Sequence, residues 1–140
     1  MLKKILLDTI TIIFILLLTY TAVSKLFDYN QFRSQIDQSP VSKIIPSQLT
    51  WIIPIVELAV ASMLVVKEWR VRGLYATLIL MILFTSYLVY MNTYTYYIPC
   101  SCGGFLERLP YGIHITINVL LILILILGLS ITRRQFQVKD

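Results

Sequence analysis

Charged residues are scarce in this sequence. Lys, Arg, Asp and Glu make up 14% of its 140 residues, against about 25% in an ordinary soluble domain. Hydrophobic residues make up 58%, and the mean hydropathy is +0.80. A soluble protein of this length cannot hide so much apolar surface. The composition therefore excludes an ordinary soluble domain and favours a membrane protein in contact with the lipid bilayer.

Residues that carry chemistry are also few, with two cysteines and one histidine in the chain. The sequence has no second cysteine pair, no Met-rich run and no histidine cluster. It also has no phosphate-binding loop, no nucleophile–base triad and no nucleic-acid signature. The two cysteines are therefore the main candidates for chemistry.

Four apolar runs are long enough to suggest membrane spans. They cover about residues 5–23, 50–66, 74–91 and 113–131. A helix needs about 20 residues to cross the hydrocarbon core, and the apolar residues do not alternate with polar ones as in a membrane strand. The pattern predicts an all-α integral membrane four-helix bundle, with residues 1–140 as a single transmembrane domain.

The first run also has features of a signal peptide. Lys3 and Lys4 precede it, and Ala22-Val23-Ser24 is a weak small-x-small cleavage site. However, the run is long for the apolar core of a signal peptide. We therefore predict that it is retained as a membrane span.

Lys and Arg are unevenly divided between the two sides of the predicted bundle. Four cations lie on the side of the loops at 24–50 and 92–112, and eight lie on the side of the termini: Lys3, Lys4, Lys67, Arg70, Arg72, Arg133, Arg134 and Lys139. This excess predicts that both termini are cytoplasmic. It also explains most of the net charge of +5, so we predict no nucleic-acid partner. The cysteines then lie on the extracytoplasmic side, where disulfides can form and persist.

The first predicted outer loop has a helical pattern of its own. Leu26, Tyr29, Phe32 and Ile36 recur at helical spacing, and Pro40 ends the pattern. Asp28 precedes this pattern and is the candidate N-cap. We predict a short helix in the membrane interface, which serves as a lid over the bundle or as a docking surface for a soluble partner.

Two positions in the predicted spans are unusually polar. Glu57 lies about one turn inside the second span, where a carboxylate is costly and normally has a partner. Lys25 is the nearest cation in depth, so the pair is either a structural ion pair or part of a proton path. His114 and Asn118 lie four residues apart, on one face of the last span. His114 serves either packing or proton exchange with a nearby thiol.

Cys100 and Cys102 lie one residue apart in the stretch PCSCGG. As a redox pair they would close a small, strained and easily reduced ring, and Gly103 and Gly104 would let a partner backbone approach. As a metal site, the two thiols with His114 could hold Cu(I) or Zn(II). As a structural link, so short a loop would constrain the unfolded chain very little. The spacing favours the redox interpretation.

Two cysteines are too few for a complete electron path. Electrons would have to pass directly to a bound cofactor or to a second protein. Tyr87, Tyr90, Tyr94 and Tyr97 form a stripe that could line a slot for a quinone, although interfacial anchoring explains the same stripe.

The order of these elements resembles the MauE/DoxX superfamily of small four-helix membrane proteins. The similarity is carried by the stretch 24–28, Phe32, Pro46, Trp51, Pro54 and 57–58, and then by the stretch 100–104 and Asn118, which is similar to the MauE branch in particular. The resemblance implies a bacterial inner-membrane protein needed for maturation of methylamine dehydrogenase, whose small subunit is rich in disulfides. The DoxX branch is linked instead to quinol oxidation.

The resemblance implies Cys100 and Cys102 as the redox pair, with Lys25, Glu57 and Asn118 as supporting residues. Together these observations predict a membrane thiol–disulfide redox protein that serves exported clients. A thioredoxin-like partner or a quinone would complete the electron path. The alternative is a non-enzymatic assembly or anchoring subunit of a larger membrane complex, with the cysteines bracing the loop.

Overall fold

The computed structural model describes residues 1–44, 46, 48, 50–94 and 109–137. Within these residues the chain is all-α, as predicted, and no strand is found there. The elements are α1 (Leu2–Phe27), α2 (Tyr29–Asp37), a 3-10 helix η1 (Pro40–Lys43), α3 (Ile52–Val65), α4 (Arg70–Tyr94) and α5 (Tyr111–Gln137).

Three helices in the described part are long and apolar enough to cross a membrane. They are α1 with 26 residues, Arg70–Thr93 of α4 with 24 and Tyr111–Arg133 of α5 with 23. α3 is apolar but has 14 residues, so at 1.5 Å per residue it is about 21 Å long, short of the ~30 Å hydrocarbon core. Three of the four predicted spans thus have the expected length and composition. The predicted second span corresponds to a shorter helix that begins at Ile52 and ends at Val65.

Four of the helices pack side by side in a ring. α1 contacts α3 and α5, and α4 contacts the same two helices. The core between them is apolar and consists of Leu7, Ile10, Phe14, Leu18, Val60, Ala61, Leu64, Leu74, Met81, Leu125 and Leu129. Large apolar side chains also cover the outside, such as Leu16, Ile79 and Leu127 at 60–64% exposure. Helices that are apolar all round are typical of a membrane environment.

The two ends of the bundle have different structures. At one end, α1 ends at Phe27 and α3 begins at Ile52, and we call this the α2 end. At the other, α1 begins at Leu2 and α4 begins at Arg70, and we call this the N-terminal end.

α2 packs against η1 and the end of α1. It is the short helix that the sequence predicts, and it buries Phe32, Gln35 and Ile36. Asp28 occupies its N-cap position, but its side chain makes no capping hydrogen bond among the described residues. Its backbone carbonyl instead accepts a hydrogen bond from the N–H of Phe32 at 3.0 Å. Pro40 begins η1, which agrees with the predicted end of the helical pattern.

Gly73 lets α4 approach α3 closely. A Cβ atom at this position would lie 3.0 Å from Leu64 Cδ2, 3.1 Å from Leu64 N and 3.2 Å from Met63 C. Two of these three atoms are backbone atoms, which cannot rotate away. Small residues at helix contacts in membranes allow such close backbone packing.

We expect Gly73→Ala to destabilise the bundle by about 1–3 kcal/mol, because the added methyl group forces α3 and α4 apart. The measurement is thermal unfolding of the purified protein in mild detergent. Gly112→Ala is the matched control, since a Cβ at Gly112 meets nothing within 4 Å. Equal unfolding temperatures for the two variants would contradict this account of Gly73.

Candidate functional site

The predicted site residues fall into two groups. Cys100, Cys102, Gly103 and Gly104 lie outside the described residues. Lys25, Glu57, His114 and Asn118 are described, and all four are buried. Helix α4 ends at Tyr94 and helix α5 begins at Tyr111. The cysteines therefore belong to the segment that connects these two residues.

Lys25 and Glu57 form an ion pair at the α2 end of the bundle. Lys25 lies in the last turn of α1, and Glu57 lies about one turn into α3. These helices run antiparallel, so the end of one meets the start of the other. Lys25 Nζ donates a hydrogen bond to Glu57 Oε1, and the two side chains are 6% and 0% exposed. The partnership predicted from depth is confirmed.

Two aromatic rings complete the surroundings of the Lys25 ammonium. Nζ lies 4.7 Å from the ring centroid of Phe84 on α4 and 5.8 Å from that of Phe32 on α2. Both distances are within the range of cation–π attraction, which reaches about 2 kcal/mol where the cation is desolvated. One ammonium group on α1 therefore contacts α2, α3 and α4 together.

Sequence reasoning missed both aromatic contacts. The spacing of Phe32 predicts that it lies on the apolar face of α2, but nothing in that spacing indicates a cation. Phe84 lies within an apolar run, where one aromatic residue has no distinguishing pattern. Both contacts depend on how the helices are rotated about their axes, which the sequence pattern of α4 leaves open because that helix is apolar on every side.

His114 and Asn118 lie on the inward face of α5, with exposures of 3% and 8%. A Cβ on Gly128 of α5 would lie 3.4 Å from Ile10 Cδ1 of α1, so these two positions are level. Lys25 is 15 positions after Ile10, and His114 is 14 positions before Gly128. A parallel α5 would carry His114 beyond the start of α1, where it could not be buried, so the two helices run antiparallel. With the same rise per residue along both helices, His114 is at about the depth of Lys25, and Asn118 is one turn deeper.

The buried polar groups are therefore concentrated at the α2 end. Lys25, Glu57 and His114 provide three titratable side chains at similar depth, shielded from water. A buried charge is costly unless it is paired, and the Lys25–Glu57 pair meets this requirement. His114 is the third ionisable side chain at this level, and it lies on α5.

A second ion pair lies at the N-terminal end. Arg70 Nη1 donates a hydrogen bond to Asp8 Oδ1 at 2.7 Å, with side-chain exposures of 24% and 40%. In the sequence, Asp8 lies near the predicted cytoplasmic end of the first span, where water can solvate it and no special role is needed. Arg70 is predicted at the same end of the bundle, but nothing in the sequence requires the two to pair, and the pairing was missed. The pair links the start of α1 to the start of α4.

The structure describes only some of the residues in the predicted metal site and in the predicted tyrosine stripe. Among the described residues, no group of three or more His, Cys, Asp and Glu side chains could hold a metal ion. The metal interpretation of Cys100 and Cys102 with His114 lies outside this range. Tyr87 is half-buried and Tyr90 is exposed on α4, while Tyr97 of the predicted stripe lies outside the described residues.

A sequence model of a known protein family matches most of this chain. No curated protein and no solved structure matches this chain. The sequence model of the family described as methylamine utilisation protein MauE matches residues 3–131. This range runs from Lys3 in α1 through α2, α3, α4 and the connection that contains the cysteines to Ile131 in α5. Together with the apolar helices, the match identifies a multi-pass membrane protein, and the chain belongs to the MauE family.

Proposed function

We propose that this protein is a membrane thiol–disulfide redox protein that supports the maturation of exported proteins in methylamine utilisation. The family match over residues 3–131, which includes Cys100 and Cys102, is the observation that carries the proposal. The MauE resemblance directs it toward methylamine dehydrogenase, whose disulfide-rich small subunit needs such chemistry. The described structure supports a membrane location through its long apolar helices.

The proposed topology is four spans, with α3 as the second, and both termini in the bacterial cytoplasm. The unequal distribution of Lys and Arg supports this orientation. α3 begins next to the interfacial residues Thr50 and Trp51, and Trp51 is 53% exposed. A tryptophan at the membrane interface suits a short span that meets the headgroup region early. The cysteine segment then lies on the extracytoplasmic side.

The proposed reaction is an exchange between one dithiol and one disulfide. A thiolate of a client attacks the Cys100–Cys102 disulfide and forms a mixed disulfide. The second client thiolate resolves it, which leaves an oxidised client and two reduced cysteines. The two electrons and two protons then pass to a quinone, which becomes a quinol, or reduce the disulfide of a thioredoxin-like partner. The same steps in reverse would reduce a client.

The buried residues at the α2 end have supporting roles in this proposal. His114 lies near the start of α5, 12 positions after Cys102, where it can exchange protons with the thiols. Lys25 and Glu57 hold the helices beneath the cysteine segment together, or relay charge. Asn118 supports the inward face of α5. None of these side chains needs a bound metal for its role.

The first test is the thiol state of Cys100 and Cys102 in native membranes. Thiols are trapped with acid and labelled with a mass-tagging maleimide, with and without quinone depletion. We expect a mixed population that becomes more reduced when quinone is depleted. A mixed population whose thiol fraction does not change when quinone is depleted would mean that the redox partner is a protein. A pair that is fully oxidised under every condition would overturn the redox proposal.

A second candidate function is a non-enzymatic assembly or anchoring subunit. The contacts of Lys25 favour it, because its ion pair and aromatic neighbours hold α1, α2, α3 and α4 together without any chemistry. In that case the cysteines brace the segment between α4 and α5. The thiol-state measurement distinguishes the two candidates, since a brace stays oxidised.

A further inference from the structure

The N-terminal end of the bundle carries a group of exposed cations. We call this group the basic end, and its members are Lys3, Lys4, Lys67, Arg72 and Arg133. They come from the start of α1, the α3–α4 connection, the first turn of α4 and the last part of α5. Four separate segments therefore contribute positive charge to one end.

Contacts between the helices establish that these segments share an end. The hydrogen bond from Arg70 to Asp8 joins the start of α4 to the start of α1. Gly128 of α5 lies level with Ile10 of α1, and the early part of α5 is buried in the bundle. A parallel α5 would project beyond the start of α1, so α5 runs antiparallel to α1. Arg133 lies five positions beyond Gly128, and the common rise per residue carries it to the level of the first turns of α1.

The charge at the basic end is strongly positive. Glu68 is an exposed acidic residue in the same region, and the Asp8 carboxylate forms an ion pair with Arg70. The five cations and Glu68 together have a formal charge of +4.

The α2 end is different in its described residues. Three cations, Lys25, Arg33 and Lys43, are balanced by three anions there, Asp28, Asp37 and Glu57. The difference in charge is therefore concentrated at one end of the molecule.

Large apolar side chains are exposed directly beside these cations. Leu2, Ile5 and Leu6 on α1 are 82%, 57% and 46% exposed, and Val65 and Trp69 near Lys67 are 62% and 52% exposed. A ligand that covers both kinds of surface must have an anionic group next to hydrocarbon. A soluble acidic protein would meet the cations but leave the apolar flanks uncovered.

We propose that the basic end is a binding surface for anionic phospholipids such as phosphatidylglycerol. Their phosphates contact Lys67, Arg72 and the lysines of α1, while their acyl chains run along the exposed apolar faces of α1 and α3. Clusters of Lys and Arg immediately beside membrane spans attract anionic headgroups. This inference is independent of the proposed redox chemistry, because it uses no residue of the cysteine segment or of the α2 end.

The two tryptophans of the chain provide a local test. Trp69 lies at the basic end between Lys67 and Arg72, and Trp51 lies at the α2 end just before α3. Trp51→Phe leaves Trp69 as the reporter, and Trp69→Phe leaves Trp51. Each variant is reconstituted in phosphatidylcholine vesicles that contain brominated phosphatidylglycerol or brominated phosphatidylcholine. Bromine quenches the fluorescence of a tryptophan that the lipid contacts.

We expect Trp69 to report a preference of about fivefold for phosphatidylglycerol, the effect of about one cation near a membrane surface. Trp51 should report a ratio near one. Lys67→Gln with Arg72→Gln, made in the Trp51→Phe background, should abolish the preference at Trp69. The matched control is Arg33→Gln with Lys43→Gln in the same background, which removes two exposed cations from the α2 end and should leave the ratio unchanged. Circular dichroism checks that both double variants are folded.

Three results would overturn the proposal. Equal quenching of Trp69 by the two lipids would mean that the basic end does not prefer anionic lipid. An acidic soluble protein would then be the better candidate for its partner. The same preference at Trp51 would mean a general effect of net charge. An unchanged ratio in the Lys67→Gln and Arg72→Gln variant would mean that these cations do not bind the headgroup. A preference that falls in 1 M salt would support direct charge contact, because salt screens exposed charges.

Discussion

Replacing Lys25 by methionine is expected to destabilise the bundle by about 3–5 kcal/mol, the cost of leaving a buried charge without its partner. Glu57 is 0% exposed, so its carboxylate has little access to water when the ammonium is removed. The substitution also removes the cation that faces Phe84 and Phe32. The measurement is the free energy of unfolding in mixed detergent micelles, with circular dichroism as the probe of unfolding.

The double variant Lys25→Met with Glu57→Leu should recover most of this loss. Apolar side chains of similar volume often replace a buried ion pair without cost. Since α1 and α3 also pack together and contribute residues such as Leu18 and Val60 to the same apolar core, the helices can remain packed. The two single variants and the double variant form a thermodynamic cycle that isolates the coupling between the charges.

The Asp8–Arg70 ion pair provides the control. Asp8 and Arg70 are 40% and 24% exposed, so water can solvate either charge when the other is removed. Asp8→Ala should cost no more than about 1 kcal/mol, as is usual for exposed pairs. If Lys25→Met were as mild as Asp8→Ala, the Lys25–Glu57 pair would not be the buried link described above. If the double variant were as unstable as Lys25→Met, the charges themselves would be needed for packing.

Replacing both cysteines by serine is expected to abolish disulfide formation in the client protein. The reacting species is a thiolate, and serine cannot replace it. In a methylotrophic host without its own MauE protein, we expect active methylamine dehydrogenase to fall on the order of tenfold or more, because spontaneous disulfide rearrangement takes minutes to hours. The measurement is the activity and the thiol content of the dehydrogenase, normalised to the abundance of the membrane protein.

Single variants should separate the roles of the two thiols. With one cysteine left, the remaining thiolate can attack the disulfide of an oxidised partner, but this protein has no second thiol to release that partner. One of Cys100→Ser and Cys102→Ser should therefore accumulate a covalent adduct that reductant removes. Ser101→Ala is the matched control, because it changes the same segment but no thiol. Full activity of the double variant at normal abundance would contradict the redox function. A loss of abundance alone would instead support the anchoring function.

The general character of the molecule was predictable because it depends on local sequence. Long apolar stretches predicted α1, α4 and α5, and the spacing of Phe32 and Ile36 predicted α2, with Pro40 marking the change to η1. These patterns are local, so no knowledge of contacts was needed. The length of α3 was harder to predict, because Thr50 and Trp51 continue the apolar run in the sequence but lie outside the helix.

Pairing between distant residues was predictable only where one residue required a partner. Glu57 is a carboxylate within an apolar segment, and the cost of its burial pointed to Lys25 as the cation at that depth. Asp8 lies near a predicted helix end, where water is a sufficient partner, so nothing in the sequence demanded Arg70. Phe84 is apolar among apolar residues, and its position over Lys25 depends on the rotation of α4.

The sequence by itself predicts that the chemistry is concentrated in one cysteine pair, and it determined that this protein is helical and resides in a membrane. Composition and the period of the apolar residues are sufficient for these conclusions, because burial in lipid depends on each segment separately. Only the tertiary structure decided that Lys25 contacts three other helices, that Gly73 admits close packing against Leu64, and that Arg70 joins Asp8. These contacts depend on the rotation and register of neighbouring helices. Helices that are apolar on every side have no sequence pattern from which their rotation or their register can be predicted.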